Sequence, residues 1–151
     1  MLDLTRRFPC PADHWDGVFL EHVNEHLTYT QNLAALGEVY RTLRPGGLLR
    51  IVLPSLHRYL AWNELRGDEP KMTRYGSLAE AVSNLTQNHA HQSVWDPALL
   101  REVLEGIGFV DVVEREFREG ASPEMLHDGE SHRWESLYFE ARKPGAERKA
   151  A

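Results

Sequence analysis

Asp16-Gly-Val-Phe-Leu-Glu-His-Val-Asn-Glu-His-Leu27 and, after a helical interval, Leu43-Arg-Pro-Gly-Gly-Leu-Leu-Arg-Ile-Val-Leu-Pro54 decide the architecture of this chain. Gly17 to Glu21 is a short apolar run after an aspartate, and its length suits a buried strand better than a helix. From about Thr30 to Leu43, the residues Leu33, Leu36, Val39, Tyr40 and Leu43 recur at helical spacing, which predicts a helix with one face inward. Arg44-Pro45-Gly46-Gly47 should end it, because proline does not extend a helix and glycine accepts the left-handed conformation that closes one. Leu48, Leu49, Ile51, Val52 and Leu53 then read as a second buried strand, broken by Arg50 and stopped at Pro54. Strand, helix, tight turn and strand imply a right-handed crossover in a parallel sheet, the building unit of α/β folds.

Downstream, Ser55 to Gln92 is less regular and reads as an insertion over the sheet edge. Leu56, Tyr59, Leu60 and Asn63 allow a helix, and Gly67 to Tyr75 reads as a loop. Ser77 and Glu80 have capping-box spacing ahead of Leu78, Ala81, Val82 and Leu85. Tyr59 and Trp62 are expected in the core or as surface stems. Asp96-Pro97 is a strong helix start, Leu99, Leu100, Val103, Leu104 and Ile107 make its apolar face, and Gly108 ends it. Phe109, Val110, Val112 and Val113 give a third strand. Glu135 to Arg142 gives a fourth, with Leu137, Phe139 and Ala141 alternating against Ser136, Tyr138 and Glu140. The expected organisation is one domain over 1–143 and a disordered tail over 144–151.

A chain of 151 residues, 42% hydrophobic and 26% charged, has the size and composition of one globular domain with one core. A net charge of -6 argues against nonspecific nucleic-acid binding, which needs a surplus of Lys and Arg on one face. Cys10 is the only cysteine, so an intramolecular disulfide and a multi-thiolate zinc site are excluded, and a cytoplasmic location is expected. Met1 to Phe8 lacks the layout of a secretory signal. The apolar runs fall far short of the roughly 20 residues that span a bilayer, so no membrane partner is expected.

The two opening stretches, followed by His91-Gln-Ser-Val-Trp-Asp96, the Gly108-Phe109 helix end and Glu135-Ser-Leu-Tyr-Phe-Glu-Ala-Arg-Lys143, resemble class I S-adenosylmethionine-dependent methyltransferases of the type 11 kind over nearly the whole chain. The resemblance implies a Rossmann-like doubly wound α/β sheet, of which these strands correspond to the fourth to seventh of seven. It implies methyl transfer from S-adenosylmethionine to a small-molecule acceptor. In that family a glycine-rich turn after the first strand approaches the cofactor, through backbone N–H groups that glycine lets come close. No such turn precedes a strand in this sequence, so binding by this chain alone is expected to be weak or absent. The resemblance places Asp3 against the adenine amino group, with the Leu4 backbone as the neighbouring ring contact. It places Glu21 and His22 at the carboxyl end of the first strand, facing the methionine part of the cofactor or the acceptor, and a histidine there can serve as a general base. The alternative reading is an inactive interaction module. Its open Gly17 to Glu21 edge would pair with another chain or with a second copy, since an apolar strand edge invites pairing.

His22-Val-Asn-Glu-His26 also spells the H-x-x-E-H pattern of inverted zinc peptidases, in which two histidines one helical turn apart bind zinc. That chemistry needs a continuous helix and a further acidic ligand, whereas this segment leaves a strand directly. No metal is expected. Glu25 and His26 are read as capping and packing the following helix, and His89 and His91, with Trp95, as acceptor-pocket lining or packing.

Overall fold

The computed structural model describes residues 2–145, so the expected tail lies largely outside the described residues. The first strand, β1 (Trp15–Glu21), begins two residues earlier than its apolar run and leads through a three-residue 3-10 turn, Asn24–His26, into α1 (Tyr29–Thr42). Helix α1 starts at Thr28, whose hydroxyl accepts from the Gln31 amide while the Gln31 side chain accepts from the Thr28 amide. That reciprocal pair satisfies two otherwise orphaned donors. Glu25 and His26 therefore do not cap the helix, contrary to the expectation for them.

The helix closes at Leu43 in extended geometry rather than at a glycine, and β2 spans Leu43–Pro54. The Pro-Gly-Gly turn is carried inside that strand as an irregularity: Trp15 pairs with Leu43 but Gly17 pairs with Leu48. Gly46, at φ 82°, supplies the left-handed residue this bend requires. Beyond Pro54 come α2 (Leu56–Leu60), α3 (Trp62–Leu65) and α4 (Leu78–Gln87), the last capped by Ser77. Helix α5 (Pro97–Ile107) runs from its Asp96 cap to Gly108 at φ 114°, as its flanking signals require, and β3 (Val110–Arg115) and β4 (Ser136–Arg142) complete the sheet.

The strand order is β1-β2-β4-β3. β1 and β2 are parallel, whereas β4 runs antiparallel to both β2 and β3, so the sheet is mixed where the crossover alone implied a parallel one. Ser136 to Ala141 are buried on both faces of β4, so the polar members of its alternation point into the protein rather than into solvent.

Two hydrophobic clusters form where the length alone implied one. The main cluster joins Leu36, Val39, Leu49, Ile51, Trp95, Leu100, Leu104 and Phe139 across the sheet and helices α1 and α5. A second joins Tyr59, Trp62, Met72, Tyr75, Leu85 and Trp134, because the helices after Pro54 bring enough aromatic surface to bury against one another. No helix among the described residues is long and apolar enough to cross a membrane.

Candidate functional site

In open α/β sheets, ligand sites form beyond the carboxyl ends of the parallel strands. β1 ends there at Glu21, and the chain bends sharply at His22, which adopts φ 49° while its amide donates to the Val52 carbonyl at 3.0 Å. A non-glycine residue in the left-handed region is held there by its surroundings, as at many functional sites. The bend aims the His22 ring between two cavities.

The first cavity, about 580 Å³, has apolar walls from Leu2, Leu4, Val23 and Leu27, with Asp3, Thr5, His22 and His26 as its polar groups. Asp3 accepts from the Thr5 hydroxyl at 2.6 Å and its amide at 2.9 Å, and pairs with Arg6 at 3.1 Å. The Thr5 hydrogen bonds, hydroxyl first, and Arg6 hold the Asp3 carboxyl below its ordinary range. Asp3, Leu4 and His22 thus meet in one place. Glu21 does not join them: its carboxylate accepts from the Gly129 amide at 2.6 Å and faces the second cavity.

That second cavity, about 770 Å³, lies under the helices after Pro54 and gathers His22, Glu25, His26, His89, His91, His132 and Glu135. Asn24 and Asn32 tie the turn that carries Glu25 to α1 through a buried amide pair: the Asn24 side chain donates to Asn32 at 2.8 Å, and the Asn32 side chain donates to the Asn24 carbonyl at 2.8 Å. The amides of Gln92 and Ser93 donate to the Glu25 carbonyl at 2.7 and 3.1 Å, which draws the His91 segment onto the turn that carries Glu25.

His22 Nε2 lies 2.8 Å from Ser136 Oγ, and that hydroxyl donates its own hydrogen to the His132 carbonyl at 2.7 Å. His22 is therefore the donor through Nε2, which leaves Nδ1 with a bare lone pair. Burial, then the neighbouring His132, His91 and His26, push the His22 pKa down to about 3, so the ring is neutral at ordinary pH. Burial, with the Glu135 charge adding to it, raises Glu25 to about 7. Burial also lowers His91. Glu135 accepts from the Tyr59 hydroxyl, and the Tyr59 pKa is raised by burial and by this carboxylate.

Glu25, His132, Glu135 and Tyr59 were not singled out by the sequence as site residues, and only the spelling of the His22 to His26 segment hinted at Glu25. His89 and His91 do line this cavity, whereas Trp95 is buried in the main core. A larger concavity of about 950 Å³ adjoins this second cavity across Lys71, Ser131 and Trp134, with Arg58, Lys71 and Arg133 already engaged by Trp134, Ser131 and Glu130.

The mixed sheet, with its cavities at the carboxyl end of the parallel pair, has the Rossmann-like α/β fold of solved methyltransferases. Residues 2–51 match the family model described as a methyltransferase domain. No curated protein matches the chain. Among solved structures it is similar to a possible exported protein of Bordetella parapertussis, at 18% identity and TM-score 0.63, covering 95% of this chain and 43% of that one. It is similar to a SAM-dependent methyltransferase of Archaeoglobus fulgidus at 20% identity and TM-score 0.53, covering 88% and 61%. It is also similar to phosphoethanolamine N-methyltransferase 2 of Haemonchus contortus, solved with S-adenosyl-L-methionine, at 14% identity and TM-score 0.59, covering 91% and 35%. The chain thus spans less than two thirds of each of these proteins, and the likeness is one of fold.

Proposed function

We propose that this chain serves S-adenosylmethionine-dependent methyl transfer to a small-molecule acceptor, with the donor on the first cavity and the acceptor in the second. The observation that carries this reading is that His22 and His26 line both cavities, so the two spaces meet at one histidine wall. The apolar walls and Asp3 suit the adenine end of the donor, where a carboxylate accepts from an exocyclic amine. Among the described residues no glycine and no second carboxylate lines that cavity, so the contacts suit the adenine end alone and weak affinity is the expectation.

When bound, the donor would supply an electrophilic methyl group on a sulfonium, to be taken up by the acceptor's lone pair with the carbon–sulfur electron pair returning to sulfur. Positioning within about 3–3.5 Å in line is most of what such a step requires. His22, neutral and with Nδ1 bare, accepts a hydrogen bond from the acceptor's O–H or N–H and so directs its lone pair toward the donor. The neutral ring thus orients the nucleophile and is a poor store for its proton, which passes to water as the methyl group is transferred.

The test is a titration of S-adenosylhomocysteine followed by amide chemical shifts. Weak, saturable shifts at Asp3, Leu4, His22 and Val23 are expected, with a Kd above about 10 µM. No shifts at millimolar ligand, or shifts confined to other residues, would remove the reading.

A second reading, a non-enzymatic module that associates through β1, is favoured by an apolar groove of about 480 Å³ along that strand. Leu4, Phe8, Trp15, Val18 and Leu20 line it. β2 is the only strand paired with β1 among the described residues.

A further inference from the structure

We propose that Glu25, His26 and His91 bind one divalent transition-metal ion of the zinc class, with an open coordination position facing the 770 Å³ cavity. One ligand atom from each of the three residues lies within 4.8 Å of the others. His26 Nε2 is 3.7 Å from Glu25 Oε1, and His22 Nδ1 is 3.5 Å from the same oxygen. Neither separation makes a good hydrogen bond. The separation of His26 from Glu25 is near the edge of about 3.3–3.4 Å that a tetrahedron of bonds of about 2.0–2.1 Å would have around zinc.

Glu25 is 2% exposed and neither of its carboxylate oxygens has a hydrogen-bond partner. Buried carboxylates are ordinarily hydrogen-bonded, ion-paired or bound to a metal, and a cation between Glu25 and the two imidazoles would supply what its surroundings lack. His91 meets the complementary requirement. Its Nδ1 lies 2.7 Å from the Leu85 carbonyl, which can only accept, so Nδ1 carries the hydrogen and Nε2 is left as a bare donor atom. A backbone carbonyl in that position is the usual outer partner of a metal-bound histidine.

The backbone holds this arrangement from both sides. His89 and Ala90 both adopt φ 59°, a strained bend just before His91. The Gln92 side chain donates to the His26 carbonyl at 2.6 Å, and the Gln92 and Ser93 amides hold the Glu25 carbonyl. Two imidazoles and one carboxylate suit zinc and its neighbours rather than magnesium or calcium, which prefer oxygen ligands. Three protein ligands leave the fourth position for water or a ligand.

The geometry is not that of an inverted peptidase, because Asn24–His26 is a single 3-10 turn and His22 Nε2 is held by Ser136. The neighbouring group of His22, His132 and Glu135 is less available, since Tyr59 already occupies Glu135. The bound ion would polarise an acceptor oxygen or sulfur at its open position. That use rests on the methyl-transfer reading, whereas binding does not.

The test is calorimetric titration of ZnCl₂ into the metal-stripped chain, with CoCl₂ read by visible absorption for coordination number. One ion per chain is expected, with nitrogen and oxygen ligation in four- or five-coordinate cobalt. His26→Ala, His91→Ala and Glu25→Gln should each weaken binding by at least about tenfold, and His14→Ala should not. His26 is 43% exposed, so its variant should fold even if a more buried one does not. Absence of saturable binding, or wild-type affinity in His26→Ala, overturns the site. Zinc binding without any response to S-adenosylhomocysteine would uphold the site and remove the methyl-transfer reading.

Discussion

Arg50, in the middle of β2, and Asp128, in the loop before β4, form an ion pair with no side-chain exposure on either partner. Arg50 Nε donates to Asp128 Oδ1 at 2.7 Å, and its second nitrogen binds the other oxygen. The guanidinium also donates to Glu140 and to the Glu119 carbonyl, while the Arg118 amide donates to Asp128. The loop between β3 and β4 is thus tied to the sheet by charge-assisted hydrogen bonds.

Asp128→Ala removes one partner and leaves a buried guanidinium undercompensated, so a loss of about 3–5 kcal/mol is expected. Glu130→Ala, which breaks an ion pair with Arg133 whose side chains are 65% and 62% exposed, should cost under about 0.5 kcal/mol. Urea unfolding of both variants measures the difference. Equal effects would mean that the buried pair has no special weight.

Arg50 illustrates where the sequence stops being legible. Its neighbours Leu49 and Ile51 announce a buried strand, but a charge in that run looks like an interruption, because its partner is a distant loop aspartate. Elements with local signals are readable: α5 has Asp96 and Pro97 before it, a regular apolar face, and Gly108 after it. β4 is readable as a strand but not in its place between β2 and β3, since pairing partners are chosen by long-range packing. That Asp3, Leu4 and His22 meet around one cavity is readable through the family resemblance. The second cavity is not, because Glu25 and His91 meet only after the Gln92 and Ser93 amides dock on the Glu25 turn.

Glu38 on α1 clamps the N-terminal segment. Its carboxylate accepts from Arg41 at 2.7 and 2.8 Å and from the Phe8 amide at 2.8 Å. Arg41 first, then the Phe8 amide, lowers the Glu38 pKa from 4.5 to about 2. A carboxylate with a depressed folded pKa stabilises the fold fully above its unfolded pKa, and the contribution fades as pH falls from about 4.5 to about 2. Glu38→Gln should therefore cost about 0.5–1 kcal/mol at neutral pH, discounted for solvent screening, and nothing below pH 2. Unfolding measured across that range checks the sign. A mutant deficit that grows on acidification would contradict it.

Association through β1 has its own measurable consequence. Trp15 is 46% exposed beside the apolar groove, and Leu2 is 48% exposed. If the strand edge pairs between copies, sedimentation should show reversible dimers at about 100 µM, and Trp15→Glu should shift the equilibrium toward monomer without loss of secondary structure. A monomer at every concentration removes the interaction reading.

Ser136 determines which nitrogen of His22 carries the hydrogen, because its hydroxyl is already donated to the His132 carbonyl. Nitrogen chemical shifts of the imidazole should show the Nε2–H form in the wild-type chain. Ser136→Ala removes the acceptor, leaves a half-buried N–H unsatisfied and should cost about 1–2 kcal/mol of stability. The tautomer should then become mixed, since nothing else holds Nε2. A ring nitrogen so released alters the wall shared by both cavities, and S-adenosylhomocysteine shifts at His22 should change while those at Asp3 and Leu4 persist. A pure Nε2–H spectrum in the variant would mean that Ser136 does not set the tautomer.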